Sequence, residues 1–186
     1  MPSIKSDLDL IIAITHGNIH VYYKYTLVNL IFHFYVHIIG EKMLIEFFSE
    51  EDIKFVKLLI QRYHTQGIPQ GGAMAKRHRF FGWLVEGYIC GVAWLHDNTP
   101  FRFIAQYFKI GSENSYFIRR ICKCCPGDYL VDLLNALAEK LKNEGKECIW
   151  TLGLDDHSNA LYKRAGFIEV GRTPRTGHPV FVRKLH

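Results

Sequence analysis

The chain has 186 residues, 48% of them hydrophobic and 22% charged, with a formal net charge of +5. That composition excludes disordered, collagenous and low-complexity chains, and the length is enough to bury a core without disulfide staples. The basic excess suits an anionic ligand but is too small to argue for nucleic acid by itself.

Residues 1–42 carry Lys5, Lys24 and Lys42 against Asp7, Asp9 and Glu41, so the whole +5 falls in residues 43–186. The two parts are therefore treated as an N-terminal extension, 1–42, and a domain, 43–186. The run Ile19 to Ile39 is apolar over about one membrane span. It is broken by Lys24, Asn29, His33 and His37, and it is rich in β-branched and aromatic residues. That favours strands covering an edge or joining a second copy over a membrane helix. His33 and His37 share a face in a helix or a strand, but no third ligand accompanies them, so no metal site is expected.

In the domain, Leu44 to Phe48 reads as a strand. Ser49 then stands as a helix N-cap ahead of Glu50, Glu51 and Asp52, with Ile53, Val56, Leu59, Ile60 and Tyr63 at helical spacing. Gly67, Pro69, Gly71 and Gly72 mark a loop. Arg79–Glu86 and Tyr88–His96 read as two strands joined by a tight turn at Glu86-Gly87. Phe101–Ile110 and Tyr116–Cys125 are expected as further strands. Pro126-Gly127-Asp128 breaks the chain before a helix with Leu130, Leu133, Leu134, Leu137 and Leu141 on one stripe and Gly145 at its end. Glu147–Leu152 is a strand, Asp156–Ala165 a short helix closed by Gly166, and Phe167–Val170 and Pro179–Leu185 are final strands. A hairpin combined with a strand–helix–strand unit gives α/β with a mixed sheet.

Five cysteines without repeated spacing argue against a secreted disulfide framework and for a cytoplasmic protein. Cys122, Cys124 and Cys125 alternate along one strand and read most simply as small hydrophobes. A metal cluster joining them to His157 is disfavoured by the missing C-x-x-C spacing.

The stretch Asn159-Ala160-Leu161-Tyr162-Lys163-Arg164-Ala165-Gly166-Phe167 resembles the closing motif of the GCN5-related N-acetyltransferase (GNAT) superfamily. The element order over 43–186 fits as well, so the resemblance covers about three quarters of the chain. It implies a mostly antiparallel, twisted mixed sheet flanked by helices, with the strand-rich extension in front. It also implies an acyl-CoA-dependent N-acyltransferase that passes an acetyl group to a small-molecule or protein amine. Acetyl-CoA or another acyl-CoA would be the co-substrate, with direct attack in a ternary complex. Tyr162 would be the acid that protonates the leaving thiolate. Asn159 lies three residues earlier on the same helix face, and Ile121 and Cys122 would meet the pantetheine arm.

The superfamily's phosphate loop, of the type Gln/Arg-x-x-Gly-x-Gly/Ala, corresponds here to Cys124–Leu130. This stretch has one glycine, so Gly127, Asp128 and Tyr129 would form a variant pyrophosphate site. Asp128 would have to cap the following helix or point away. Gly-poor loops also occur in divergent members resembling the phage Mom DNA-modification protein. Lys76-Arg77-His78-Arg79 and Arg119-Arg120 would suit a nucleic-acid substrate or an acidic cofactor, and a non-catalytic module that dimerises through residues 1–42 is a third reading. Glu86, Asp97 and Glu113 are carboxylates near strand ends, none of them singled out as the base.

Overall fold

The computed structural model describes residues 9–15, 18–24, 35–36, 42–69, 77–97, 104, 106, 114–155 and 158–186. The extension contributes β1 (Asp9–Thr15), β2 (Asn18–Lys24) and β3 (Tyr35–Val36), an antiparallel sheet in the order β1-β2-β3. The described residues of the apolar run are thus strands, as their β-branched content requires. Among the described residues, no helix is long and apolar enough to cross a membrane. His33, His37 and His157 lie outside the described residues.

The domain is built on a seven-stranded sheet. Its strands are β4 (Lys42–Phe47), β5 (His78–Val85), β6 (Tyr88–His96), β7 (Ser115–Lys123), β8 (Cys148–Leu152), β9 (Ile168–Arg172) and β10 (Pro179–Lys184). They lie in the order β4-β5-β6-β7-β8-β10-β9. Every neighbouring pair is antiparallel except β7 and β8. That one parallel pair needs a crossover, which α2 (Leu130–Asn143) supplies.

Local chemistry sets the boundaries. The Ser49 hydroxyl accepts from the Asp52 amide at 3.1 Å and starts α1 (Glu50–Tyr63), with three acids in its first turn. Glu86 and Gly87 both have positive φ, 52° and 83°, as a two-residue turn between right-twisted strands demands. At the end of α2, Lys146 N–H reaches Leu141 O and Gly145 N–H reaches Lys142 O, both at 2.9 Å, with Gly145 at φ 75°. This Schellman closure satisfies the last carbonyls.

Helices cover both faces of the sheet. From α2, Leu133, Leu134, Leu137 and Leu141 are fully buried against Phe81, Leu95, Ile118 and Phe181. Each such leucine contributes about 1.5–3 kcal/mol of apolar burial. On the opposite face, α1 places Phe55, Val56 and Ile60 against Phe80, Val92 and Trp94. Farther along that face, Ile104 seats on Cys148, Trp150, Val180 and Val182.

Three sequence expectations need correction. Within Phe101–Ile110, expected as a strand, the described residues Ile104 and Gln106 are helical. Phe101, Ile104, Ala105 and Phe108 also fall at 3-4-7 spacing, and a short apolar run satisfies either period. The strand expected to reach Cys125 ends at Lys123. The helix expected from Asp156 starts only at Ala160, giving α3 (Ala160–Arg164), because Asn159 is left-handed at φ 52°.

Candidate active site

The site forms where the parallel pair comes apart. β7 and β8 are in register from Ser115↔Cys148 to Ile118↔Thr151. Beyond that point β7 continues to Lys123 with β6 as its partner, while β8 turns away and Gly153 N–H donates to Pro179 O at 2.8 Å. A bulge sits at the point of divergence. Trp94 pairs with Arg120 and Leu95 with Ile118, leaving Arg119 as the extra residue of β7. Bulges bend a strand and re-aim side chains. Thr151 Oγ1 donates to Ile118 O at 3.1 Å and pins the last rung.

The parted edges enclose a cleft of about 570 Å³. Ile121 and Cys122 line one wall from β7. Asn159 and Tyr162 line another from the start of α3, and Tyr63 to Gln66 close it from the end of α1. Four of the seven site residues expected from sequence therefore share one cleft. Gly127, Asp128 and Tyr129 are not among its lining; they follow β7 and lead into α2.

Tyr162 is held by its ring, whose centroid lies 5.8 Å from Phe167 and 5.4 Å from Phe181. Its hydroxyl hydrogen-bonds the Thr151 hydroxyl, which also bonds Ile118 O. Buried in this way, the phenol stays neutral. Burial raises it above the ordinary tyrosine value, while the Thr151 bond and the Arg120 charge pull the other way. A neutral, enclosed phenol is a proton donor.

Asn159 does not cap α3 through its side chain. Its Nδ2 donates to Leu154 O at 2.9 Å and ties the chain between β8 and α3 into a closed turn. Gly153 lies beneath that amide. A Cβ there would fall 2.5 Å from Asn159 Oδ1 and 2.8 Å from the Phe181 ring, so a side chain at 153 would displace both.

The cleft is cationic. Arg119, Arg120 and Lys123 line it, and no Asp or Glu does among the described residues. Arg120 Nε donates to Gly67 O at 3.0 Å and its Nη1 to Arg119 O at 2.8 Å, which ties the loop after α1 to the bulge. Arg119 stacks over the Trp94 ring at 5.2 Å. Burial lowers both guanidinium pKa values, and the Arg119 charge lowers that of Arg120 further.

Beyond Lys123, the expected phosphate loop takes its own form. Gly127 has φ 125°, and a Cβ on it would fall 2.4 Å from the Tyr129 ring, so the ring closes over the glycine. Tyr129 occupies the N-cap position of α2 without a side-chain cap bond. Asp128 is not the cap; it pairs with Arg164 of α3, which offsets its charge. Around this loop the thiols pair, Cys90 with Cys125 and Cys122 with Cys124. Burial pushes the Cys90 and Cys148 thiols up to about 12, and the Cys122 hydrogen bond together with burial raises that of Cys124. Such thiols are poor nucleophiles.

Within the run at 76–79, Arg79 is largely buried and binds Glu46 through Nε at 2.7 Å and Glu144 through Nη1 at 2.6 Å, two carboxylates that Lys140 shares. His78 Nδ1 accepts from Trp94 at 3.1 Å. Lys76 lies outside the described residues. Of the carboxylates near strand ends, Glu86 sits in the β5–β6 turn and Asp97 accepts from Arg77 N–H at 2.8 Å; neither lines the cleft. Glu113 lies outside the described residues.

Sequence reading missed Thr151, the bulge at Arg119 and His178. One signal was available for Thr151, a single polar side chain in the apolar strand Cys-Ile-Trp-Thr-Leu. The other two depend on register and on distant chain segments meeting.

No protein-family model matches the chain. It is 54% identical over 142 residues, 74% of this chain and 92% of the other, to the "Uncharacterized protein 154" of Sulfolobus islandicus rod-shaped virus 1. Among solved structures it is similar to the ribosomal-protein-S18-alanine N-acetyltransferase of Escherichia coli, with a TM-score of 0.52 and 16% identity over 78% of this chain and 94% of that one. It is also similar to aminoglycoside acetyltransferase AAC(6')-Ib, solved with coenzyme A and kanamycin, with a TM-score of 0.57 and 14% identity over 77% and 95%. Aminoglycoside 6'-acetyltransferase type Ii gives a TM-score of 0.55 and 12% identity over 77% and 97%. The chain thus belongs to the family of the rod-shaped-virus protein 154, and its fold is that of the GCN5-related N-acetyltransferases.

Proposed function

We propose that the protein is an acyl-CoA-dependent N-acyltransferase that passes an acetyl group to an amine. The observation that carries this reading is the parting of β7 and β8 after Ile118↔Thr151, with a neutral phenol, Tyr162, bound to Thr151 at that point. Similar structures solved with coenzyme A support the co-substrate.

The residues present fit such a molecule at its thioester end. The edge of β7 over Ile121 and Cys122, facing the cleft without a strand on that side, offers backbone groups to the pantetheine amides. Arg119, Arg120 and Lys123 draw a polyanion in. At the far end, the uncapped first turn of α2 presents N–H groups to phosphate beside Gly127 and Tyr129, with Asp128 neutralised by Arg164. Asn159 sets the wall opposite Ile121.

In the transfer, a C–N bond forms at the thioester carbonyl as the C–S bond breaks. Backbone N–H groups on the bulged segment of β7 polarise the carbonyl. Tyr162 supplies the proton that the departing sulfur takes, and burial keeps that proton in place at neutral pH. The acceptor is a small-molecule or protein amine. The nucleic-acid alternative has less support, because Arg79 of the basic run is already neutralised by two glutamates.

The test is Tyr162→Phe in an acetyl-transfer assay against a panel of amines. The variant is expected to bind acetyl-CoA as the parent does and to lose about 10²-fold or more in kcat. An unchanged kcat would refute the assignment of Tyr162.

A further inference from the structure

The cleft has a proton donor, Tyr162, but its described lining contains no carboxylate to remove a proton from the incoming amine. Two histidines line it, His64 and His178. His64 Nδ1 accepts from the Gln66 amide at 3.0 Å as the chain leaves α1, so that lone pair is in use. His178 is differently placed. It precedes β10 on a loop closed by its own hydrogen bonds. His178 N–H donates to Thr173 Oγ1 at 3.0 Å, Thr173 N–H donates to His178 O at 2.9 Å, and the hydroxyls of Thr173 and Thr176 meet at 2.6 Å.

The side chain is oriented as well. Nδ1 of His178 is enclosed and lies 3.7 Å from Asp155 Oδ2, an ion-pair distance rather than a hydrogen bond. The other carboxylate oxygen, Oδ1, takes the Arg172 guanidinium, and Arg172 is anchored in turn to Gly177 O at 2.8 Å. With the side chain 36% exposed and Nδ1 enclosed, the open part of the ring is its Nε2 side. A carboxylate beside Nδ1 favours the tautomer with the proton there, which leaves the Nε2 lone pair free to act as a base. Tyr162 and His178 line the same cleft, so acid and base would face one bound substrate pair.

We infer that His178 is the general base of the proposed transfer and Asp155 its positioning residue, an assignment that rests on the acyltransferase reading. As the C–N bond forms, Nε2 of His178 takes one proton from the attacking nitrogen. The C–S electron pair leaves with sulfur, which takes the Tyr162 proton. Protons and electrons balance without a further reactant.

The experiment measures the pH dependence of acetyl transfer for the wild type, His178→Gln, Asp155→Asn and Asp155→Glu, with acetyl-CoA affinity measured by calorimetry on each. His178→Gln is expected to lose about 10²-fold or more in kcat, to keep acetyl-CoA affinity, and to lose the acidic limb of the rate profile. Asp155→Asn is expected to lower kcat with acetyl-CoA affinity kept, and Asp155→Glu to recover part of the rate; a purely structural role would not give that recovery. A His178→Gln variant with wild-type rate and an intact acidic limb overturns the assignment while leaving the acyltransferase reading in place. A wild type that neither binds acetyl-CoA nor acetylates any amine overturns both.

Discussion

The bond between Tyr162 and Thr151 can be measured apart from any activity. Thr151→Val removes a buried hydroxyl at nearly constant volume. That hydroxyl bonds Ile118 O at 3.1 Å and also the Tyr162 phenol, so two hydrogen bonds are lost. The phenol and the Ile118 carbonyl each lose a partner in a site that water reaches poorly. At about 1 kcal/mol per net bond plus desolvation of the stranded phenol, the cost is about 2–3 kcal/mol. Tyr162→Phe removes one bond and also the need to bury a phenol, so it costs about 1 kcal/mol or less. In the double variant the phenol no longer exists to be stranded, and the cost falls to about 1–2 kcal/mol. The two changes should therefore be non-additive by about 1–2 kcal/mol in a double-mutant cycle of urea unfolding with unchanged m-values. Additivity within about 0.3 kcal/mol would mean that the two side chains do not interact, and the bond between the phenol and Thr151 would be refuted.

Other consequences follow from buried charge and close packing. His96 is 1% exposed with neither ring nitrogen hydrogen-bonded, and burial, Arg119 and His78 lower its pKa from 6.5 to about 4. The depressed value means that its contribution to stability is full above pH 6.5 and is lost as the pH falls toward 4. The loss is about 3 kcal/mol, and His96→Leu should flatten that part of the stability–pH curve. The Tyr162 phenol is raised, so the stability linked to it is full below the ordinary tyrosine value and declines as alkaline pH rises through the folded one; Tyr162→Phe should remove this decline. Arg79→Met removes the guanidinium that binds Glu46 and Glu144 at 2.7 and 2.6 Å and leaves Lys140 as their remaining cation, and should cost about 1–3 kcal/mol in chemical denaturation. Gly153→Ala would place a methyl 2.5 Å from Asn159 Oδ1 and should weaken acetyl-CoA binding in calorimetry more than it lowers Tm.

Much of this architecture can be read locally. Ser49, the Glu86-Gly87 turn, the leucine stripe of α2 and Gly145 each carry a short-range chemical reason for their conformation, and each stands where the sequence indicates. Asn159 and Tyr162 likewise line the cleft, with Gly166 and Phe167 closing the helix and entering the core behind them. What escaped depends on long-range pairing. The Arg119 bulge exists only as a mismatch with Leu95 on another strand. Asp128 turns from α2 because Arg164, 36 positions later, takes it. Asp155 and His178 are joined through the β8–β10 alignment, which no spacing in the sequence displays. The run around Ile104 satisfies both periods, so the packing on Trp150 and Val182 decides its conformation.

The central claim is that the cleft between β7 and β8 holds an acyl-CoA. A thermal-shift titration of the intact protein with acetyl-CoA tests it most directly. Binding only to the folded state adds about 2.7 kcal/mol at a hundred-fold excess over Kd. For a chain of this size that raises Tm by about 5–10 °C, and more with further excess. A Tm that does not move at millimolar acetyl-CoA would contradict the claim.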